Sequence, residues 1–78
     1  MRLQIAGLMP ARGTSFRRPG ANDGSFSILH YVDDGLRCVE SVNAPMDHVM
    51  ARKLLEAGRN PDPALASDPT KPLKSFLA

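Results

Sequence analysis

The sequence predicts an α+β fold: a small antiparallel sheet of about four strands packs on one main helix, and a proline-rich tail adds short helical turns. An alternating run over residues 26–32 meets the turn Asp33-Asp34-Gly35, which is typical of a β-hairpin. A segment with helical spacing then begins near Pro45 and stops at Gly58. With 78 residues, the chain has room for one domain, spanning residues 1–78.

Two short strands are predicted ahead of the hairpin. Residues 3–6 alternate apolar and polar side chains, and this strand should end at Gly7 or Pro10. Residues 14–18 form a second strand with Phe16 facing inward, and Pro19-Gly20 ends it. The fourth strand follows the hairpin turn, and its apolar run consists of Leu36, Cys38 and Val42.

The third strand, residues 26–32, is apolar on both faces. Strands of this kind are usually covered on both sides, but a chain of this size has one long helix with which to cover them. We therefore expect the second face to need a partner, either another domain or a second copy of the chain. The candidate interface residues are Leu29, Tyr31 and His48.

The helix carries the strongest local signals in the chain. Asn43 is the expected N-cap, because its side-chain oxygen can accept from the first free N–H groups. Gly58 is the expected residue after the C-cap. The residues of the helix that should pack on the sheet lie on one side of it and are Met46, Val49, Met50, Leu54 and Ala57. The tail that follows has four prolines between Pro61 and Pro72, which limits it to short helical turns.

Composition narrows the classes of function. The single cysteine, Cys38, cannot form an intrachain disulfide, which favours a reducing compartment and a cytoplasmic location. No apolar run reaches the roughly 18 residues of a membrane span, so no membrane partner is expected. Aromatic stacking patterns and helix-turn-helix spacing are missing, so no nucleic-acid partner is expected.

Four basic residues are candidate contacts for an acidic partner, since positive charge speeds encounter through long-range attraction. The alternative is that they form an ordinary solvated face. They are Arg17, Arg18, Arg52 and Lys53.

Catalytic and metal chemistry have little support. His30 and Cys38 could pair across the hairpin as a nucleophile and base. The alternative is that both are half-buried strand residues without a third orienting group. The two histidines and one cysteine match no common zinc spacing. We therefore assign no catalytic, cofactor-binding or metal-binding residue to this chain.

Four motifs occur in the order found in one family. They are LQIAGL at residues 3–8, FSILHYVDDGL at 26–36, VNAPMDHVMARKLL at 42–55 and DPALASDPTKPLKSFL at 62–77. Together they resemble the C-terminal domain of FAD-dependent ferredoxin reductases, the family of putidaredoxin reductase, rubredoxin reductase and the reductases of aromatic-ring dioxygenases. The sequence departs from the family pattern at Pro19, which stands between an arginine and a glycine that are usually adjacent.

The resemblance implies a domain of a larger enzyme that passes a hydride from NAD(P)H to FAD and single electrons to a ferredoxin. The glycine-rich dinucleotide fingerprint is not in this sequence, so the FAD- and NAD-binding domains are expected to be absent from it. The implied role is non-catalytic: completing the flavin-side interface, docking an acidic ferredoxin, or forming a dimer. The alternative is a free-standing interaction or oligomerisation module with the same fold.

Overall fold

The computed structural model describes residues 2–77 and confirms the predicted fold class. Four strands, all paired antiparallel, form one sheet in the order β1-β4-β3-β2. The main helix and a short helix follow, and a 3₁₀ helix ends the described chain. The bounds are β1 Leu3–Gly7, β2 Thr14–Pro19, β3 Phe26–Val32, β4 Gly35–Val42, α1 Pro45–Glu56, α2 Pro63–Ala66 and the 3₁₀ helix Leu73–Leu77.

The core lies between one face of the sheet, here called the inner face, and the helices. Leu29 and Val39 at the centre of the sheet meet Leu54 of α1, and all three are almost completely buried. The tail completes the cover, since the same apolar cluster includes Ala66 of α2 and Leu73 of the 3₁₀ helix. One layer of helices therefore covers one face of the sheet.

A β-bulge in β4 sets which side chains face this core. His30 pairs with Cys38 and Tyr31 pairs with Leu36, so Arg37 is the extra residue on β4. As a result, Leu36 joins the inner cluster while Cys38 does not. The three residues of the predicted apolar run, Leu36, Cys38 and Val42, therefore do not share one face of the sheet.

The start of α1 differs from the expected N-cap. The cap residue is Ala44, which has no side-chain cap. Asn43 instead has a positive φ of 52° and holds the start of the chain, because its Oδ1 accepts from the Arg2 N–H at 2.8 Å and its own N–H donates to the Arg2 carbonyl at 2.8 Å. Asn43 therefore fixes the entry to β1 and leaves the helix N-terminus without a side-chain cap.

The buried side of α1 also differs from the prediction. Met46, Val49 and Ala57 are exposed, whereas Ala51 and Leu54 are fully buried. The apolar spacing of α1 allows two neighbouring sides, and Ala51 decides between them because a small residue lets the helix approach the sheet closely. Of the five predicted positions, Met50 and Leu54 pack on the core.

The C-terminus of α1 is a Schellman motif, with Gly58 at the predicted position after the C-cap. The N–H of Gly58 donates to Leu55 and the N–H of Arg59 donates to Leu54, at 3.2 and 2.9 Å. Gly58 adopts a φ of +68°, and a Cβ there would meet no atom within 4 Å. A substitution at Gly58 therefore tests the backbone conformation alone.

We expect Gly58→Ala to lower the free energy of unfolding by about 1 kcal/mol, because a Cβ is disfavoured in the left-handed conformation. Gly58→Asn should recover part of this loss, since asparagine adopts that conformation more easily. Urea denaturation followed by circular dichroism would measure both changes. Equal stability of the glycine and alanine proteins would contradict the assigned cap.

Candidate interaction surfaces

The face of the sheet opposite the helices, here called the outer face, is the main candidate surface. Side chains alternate along each strand, so the strand register arranges this face in three rows. The first row is entirely apolar, and the other two are mixed. The rows are Leu3–Val42–Phe26–Pro19, then Ile5–Glu40–Ile28–Arg17, then Gly7–Cys38–His30–Ser15.

The outer face has large apolar side chains open to solvent. Leu3 and Ile5 are 48% and 51% exposed, and Phe26 and Ile28 are half-buried. The buried residues of α1, α2 and the 3₁₀ helix belong to the inner cluster, so within residues 2–77 these elements leave the outer face uncovered. The expectation that one face of β3 lacks a cover within the chain thus has a structural basis.

The predicted interface residues do not lie on this open face. Leu29 and Tyr31 point to the inner face, and each is 1% exposed. Their assignment to an interface was wrong, because the helix layer covers their side of β3 and leaves the side of Phe26 and Ile28 open. His48 is half-buried on α1, also away from the outer face, and its Nδ1 has no hydrogen-bond partner among residues 2–77.

Tyr31 instead ties the sheet to the tail. Its ring lies edge-on to Phe16 with centroids 5.7 Å apart, and its hydroxyl donates to the Pro61 carbonyl at 2.8 Å. Burial of the phenol, with a smaller contribution from the charge of Asp62, raises the pKa of Tyr31 to about 12.

We expect the folded domain to resist phenol ionisation in alkali. Because the folded pKa lies above the unfolded value of 10, the contribution of Tyr31 to stability is complete below pH 10 and is lost as the pH rises through about 12. Tyr31 is the single tyrosine and there is no tryptophan, so phenolate absorbance reports this group alone. A titration midpoint near 10 in the folded protein would contradict the buried placement.

A hydrogen bond joins two polar side chains in the middle of the outer face. His30 Nε2 and Glu40 Oε1 are 2.7 Å apart, and both side chains are partly exposed. No group that could orient His30 was predicted from the sequence, and Glu40, which contacts it, was missed. The alternation that places Cys38 and Glu40 on the same side of β4 was the available signal.

Cys38 faces His30 across the strands but lacks the properties of a nucleophile. The thiol is completely buried, and burial, followed by the nearby charge of Glu40, raises its pKa. Reactive cysteines need a lowered pKa and access to solvent. The structure therefore supports the alternative in which Cys38 is a buried strand residue.

The four predicted docking cations do not form one patch. Arg17 lies on the outer face, with its guanidinium 4.9 Å from the centroid of the Phe26 ring. Arg52 and Lys53 are exposed on α1, on the other side of the sheet, and Arg52 lies 4.0 Å from Glu56. Two separate basic surfaces are therefore left, one on the sheet and one on the helix.

Arg18 is buried and cannot take part in docking, so its assignment was wrong. Its Nη1 donates to the carbonyls of Ala66 and Asp68 at 2.9 and 2.8 Å. Its Nε lies 3.7 Å from Asp47 Oδ2, and its side chain is 7% exposed. Arg18 thus joins β2 to α2 and to the first turn of α1.

A polar row on the inner face surrounds Arg18. The Ser27 hydroxyl lies 2.9 Å from that of Ser41 and donates to Asp47 at 3.1 Å. A cavity of about 330 Å³ opens beside this row, between the β2–β3 loop, the start of α1 and Pro69. Arg18 Nη1 and the Asp47 carboxylate are thus hydrogen-bonded within the domain, whereas the buried Nε of Arg18 has no hydrogen-bond partner among residues 2–77.

Other kinds of site receive no support from the described part of the chain. Among residues 2–77, no group of three or more histidine, cysteine or acidic side chains is arranged to hold a metal ion. The helices of the same residues are too short to cross a membrane. Within the described residues, the candidate functional features are therefore the open surfaces.

Comparison with a solved structure first defines the class of domain. The chain superposes on a ferredoxin reductase from Rhodopseudomonas palustris with a TM-score of 0.87 and 36% identity. The match covers 97% of this chain and 19% of that one. The fold is thus that of one domain within a ferredoxin reductase.

The chain belongs to the reductase C-terminal family, whose model matches residues 1–77. It is 39% identical over 77 residues to rhodocoxin reductase of Rhodococcus erythropolis. It is 34% identical over 77 residues to a ferredoxin–NAD(P)(+) reductase of a Sphingomonas species. Each match covers 99% of this chain and 18% of the relative, so the chain spans about a fifth of the length of these relatives. The predicted family is confirmed.

Proposed function

We propose that this chain serves as the non-catalytic C-terminal domain of a cytoplasmic FAD-dependent NAD(P)H:ferredoxin oxidoreductase. The observation that supports the proposal is the extent of the matches. They cover 99% of this chain but 18% of the length of relatives that are named as reductases. FAD and NAD(P) would be held by the remaining part of the parent enzyme. The domain would support the flavin-side interface and the approach of the ferredoxin.

The basic surface of α1 is the better candidate for ferredoxin docking. Arg52 and Lys53 are exposed and follow Val49, an exposed apolar residue on the same helix. An apolar contact flanked by positive charge suits an acidic protein, because charge attraction raises the encounter rate while apolar burial holds the complex. Arg17 is less suited to this role, since its guanidinium lies over Phe26 on the outer face.

Charge reversal on α1 tests this role. In the full-length reductase, Lys53→Glu combined with Arg52→Glu should slow ferredoxin reduction about tenfold at low salt, and the difference should shrink as salt is added. Reduction of a small uncharged electron acceptor should not change, because it does not depend on docking. Arg12→Glu, a charge reversal at an exposed residue of the loop between β1 and β2, is the control. Equal ferredoxin rates for the wild type and the double variant would exclude docking at this surface.

A second candidate function is self-association of a free-standing module, and the open outer face favours it. Two copies could cover each other through the row that contains Leu3 and Phe26. Sedimentation equilibrium of the 78-residue chain distinguishes this function: a dimer that Ile28→Lys dissociates would support it. A monomer at all concentrations would exclude it.

A further inference from the structure

We propose that the cavity between the β2–β3 loop and the start of α1 is a binding site for a small organic carboxylate, held by the free N–H groups at the N-terminus of α1 beside Arg18. The residues that line this cavity all belong to this chain. The site therefore goes beyond the proposed function and does not depend on it.

The N-terminus of α1 offers two backbone donors to the cavity. The first hydrogen bond at this end runs from the His48 N–H to the Ala44 carbonyl at 3.1 Å, so the N–H groups of Met46 and Asp47 come before the helical ladder. Ala44, the cap residue, makes no side-chain hydrogen bond to them. Met46 and Asp47 both line the cavity. Free N–H groups at a helix N-terminus, together with the helix dipole, attract an anion.

Arg18 independently points to a ligand at the same place. It lines the cavity and is 6% exposed. Its Nη1 donates to two carbonyls, but its buried Nε has no hydrogen-bond partner among residues 2–77. The Nε lies 3.7 Å from Asp47 Oδ2, too far for a hydrogen bond, and is thus directed towards a residue at the N-terminus of α1. Buried donors are almost always paired in native proteins, so an acceptor on a bound molecule suits this position.

The charges around the cavity favour a ligand with a single negative charge. The Asp47 carboxylate lies beside Arg18 and accepts from the Ser27 hydroxyl at 3.1 Å, so it is held at the cavity wall. A dianion such as phosphate would be repelled by this carboxylate. A carboxylate brings one charge, which the guanidinium and the two N–H groups can balance.

The size and lining of the cavity favour an organic ligand over a simple ion. The volume is about 330 Å³, against the roughly 30 Å³ that one water molecule takes in the liquid. A carboxylate with a short branched body could direct its oxygens at the N–H groups and bury its carbon atoms against apolar residues of the lining. These residues are Pro19, Ala21, Ala44, Pro45 and Pro69.

Titration of the ¹⁵N-labelled 78-residue chain with 3-methylbutanoate, followed by amide NMR, tests the site. We expect the amide signals of Met46 and Asp47 to shift and to saturate with a Kd of about 10 mM or below, as suits a ligand of this size. The control ligand is 3-methylbutanamide, which has the same shape and no charge. It should bind at least about fivefold more weakly, because the helix N-terminus and Arg18 attract negative charge.

A substitution at the cap tests the backbone donors while keeping Arg18, which the fold needs. Ala44→Asp places a carboxylate at the N-cap, where it accepts from the N–H groups that the ligand would use. It should raise the Tm and weaken binding of 3-methylbutanoate at least about tenfold, because the new carboxylate both occupies the donors and repels the ligand. Ala11→Asp is the matched control, since Ala11 is exposed in the loop between β1 and β2 and does not line the cavity. Its binding should equal that of the wild type.

Each opposite result would overturn the proposal. These results are no saturable shift of the Met46 and Asp47 signals, equal binding of the acid and its amide, and full binding in Ala44→Asp. Tighter binding of inorganic phosphate than of 3-methylbutanoate would overturn the assigned class of ligand. The proposed function would stand in every case, because it is tested by the size and flavin content of the native polypeptide.

Discussion

Replacing Arg18 with alanine is expected to leave a large fraction of the protein unfolded at room temperature. The change leaves the Ala66 and Asp68 carbonyls without their donor and removes the cation beside Asp47. Breaking a buried ion pair by removing one partner typically costs about 3–5 kcal/mol. A domain of this size has a total stability of about 3–5 kcal/mol, so the loss is comparable with the whole.

Chemical denaturation of matched arginine variants would measure this effect. Arg17→Ala is the control, because Arg17 is the neighbouring residue and is exposed. It should cost about 0.5 kcal/mol or less, as surface substitutions usually do. Similar losses for Arg17→Ala and Arg18→Ala would show that the two side chains are not placed as described.

Leu54→Ala is expected to lower the free energy of unfolding by about 3 kcal/mol. Leu54 is fully buried between α1 and the sheet, and truncating a buried leucine removes apolar burial and leaves a cavity. Met46→Ala is the control on the same helix, since Met46 is 66% exposed and should lose less than about 0.5 kcal/mol. The pair tests the orientation of α1, because the apolar spacing alone assigns both residues to the core.

Thermal unfolding by circular dichroism would compare the two helix variants with the wild type. A larger loss for Met46→Ala than for Leu54→Ala would mean that α1 is rotated relative to the structure described.

Local signals explain what the sequence could predict of the fold. The turn Asp33-Asp34-Gly35, Pro45 in the first turn of α1 and Gly58 after it each depend on the conformation of a few neighbouring residues. From these features the ends of the hairpin strands and of the helix were predicted to within a residue or two. The ordered motifs identified the family because they record its sequence pattern directly.

Contacts between distant residues explain most of what was missed. Arg18 has the spacing of an ordinary strand residue, and its acceptors lie 48 and 50 residues further along the chain. Asn43 has the sequence position of a helix cap, but its side-chain oxygen accepts a hydrogen bond from the N–H of Arg2, 41 residues away. Neither partner lies in the local sequence around Arg18 or Asn43, so local patterns do not predict these contacts.

A single extra residue explains why the apolar residues of β4 do not share one face of the sheet. The bulge at Arg37 reverses the alternation of β4, so Leu36 and Cys38 lie on opposite faces. Leu29 and Tyr31 were assigned to the open side because strand periodicity gives two faces but does not say which one the helix covers. The sequence therefore predicted that an open face exists and failed to say which face it is.

The size and cofactor content of the native polypeptide test the central claim most directly. An antibody raised against this domain would be used to isolate the protein from its source cells under non-denaturing conditions. We predict a polypeptide about five times the 8.4 kDa of this chain, in proportion to the relatives, that carries the absorbance of bound flavin. A flavin-free polypeptide of 8.4 kDa would contradict the claim that this chain works as a domain of a ferredoxin reductase.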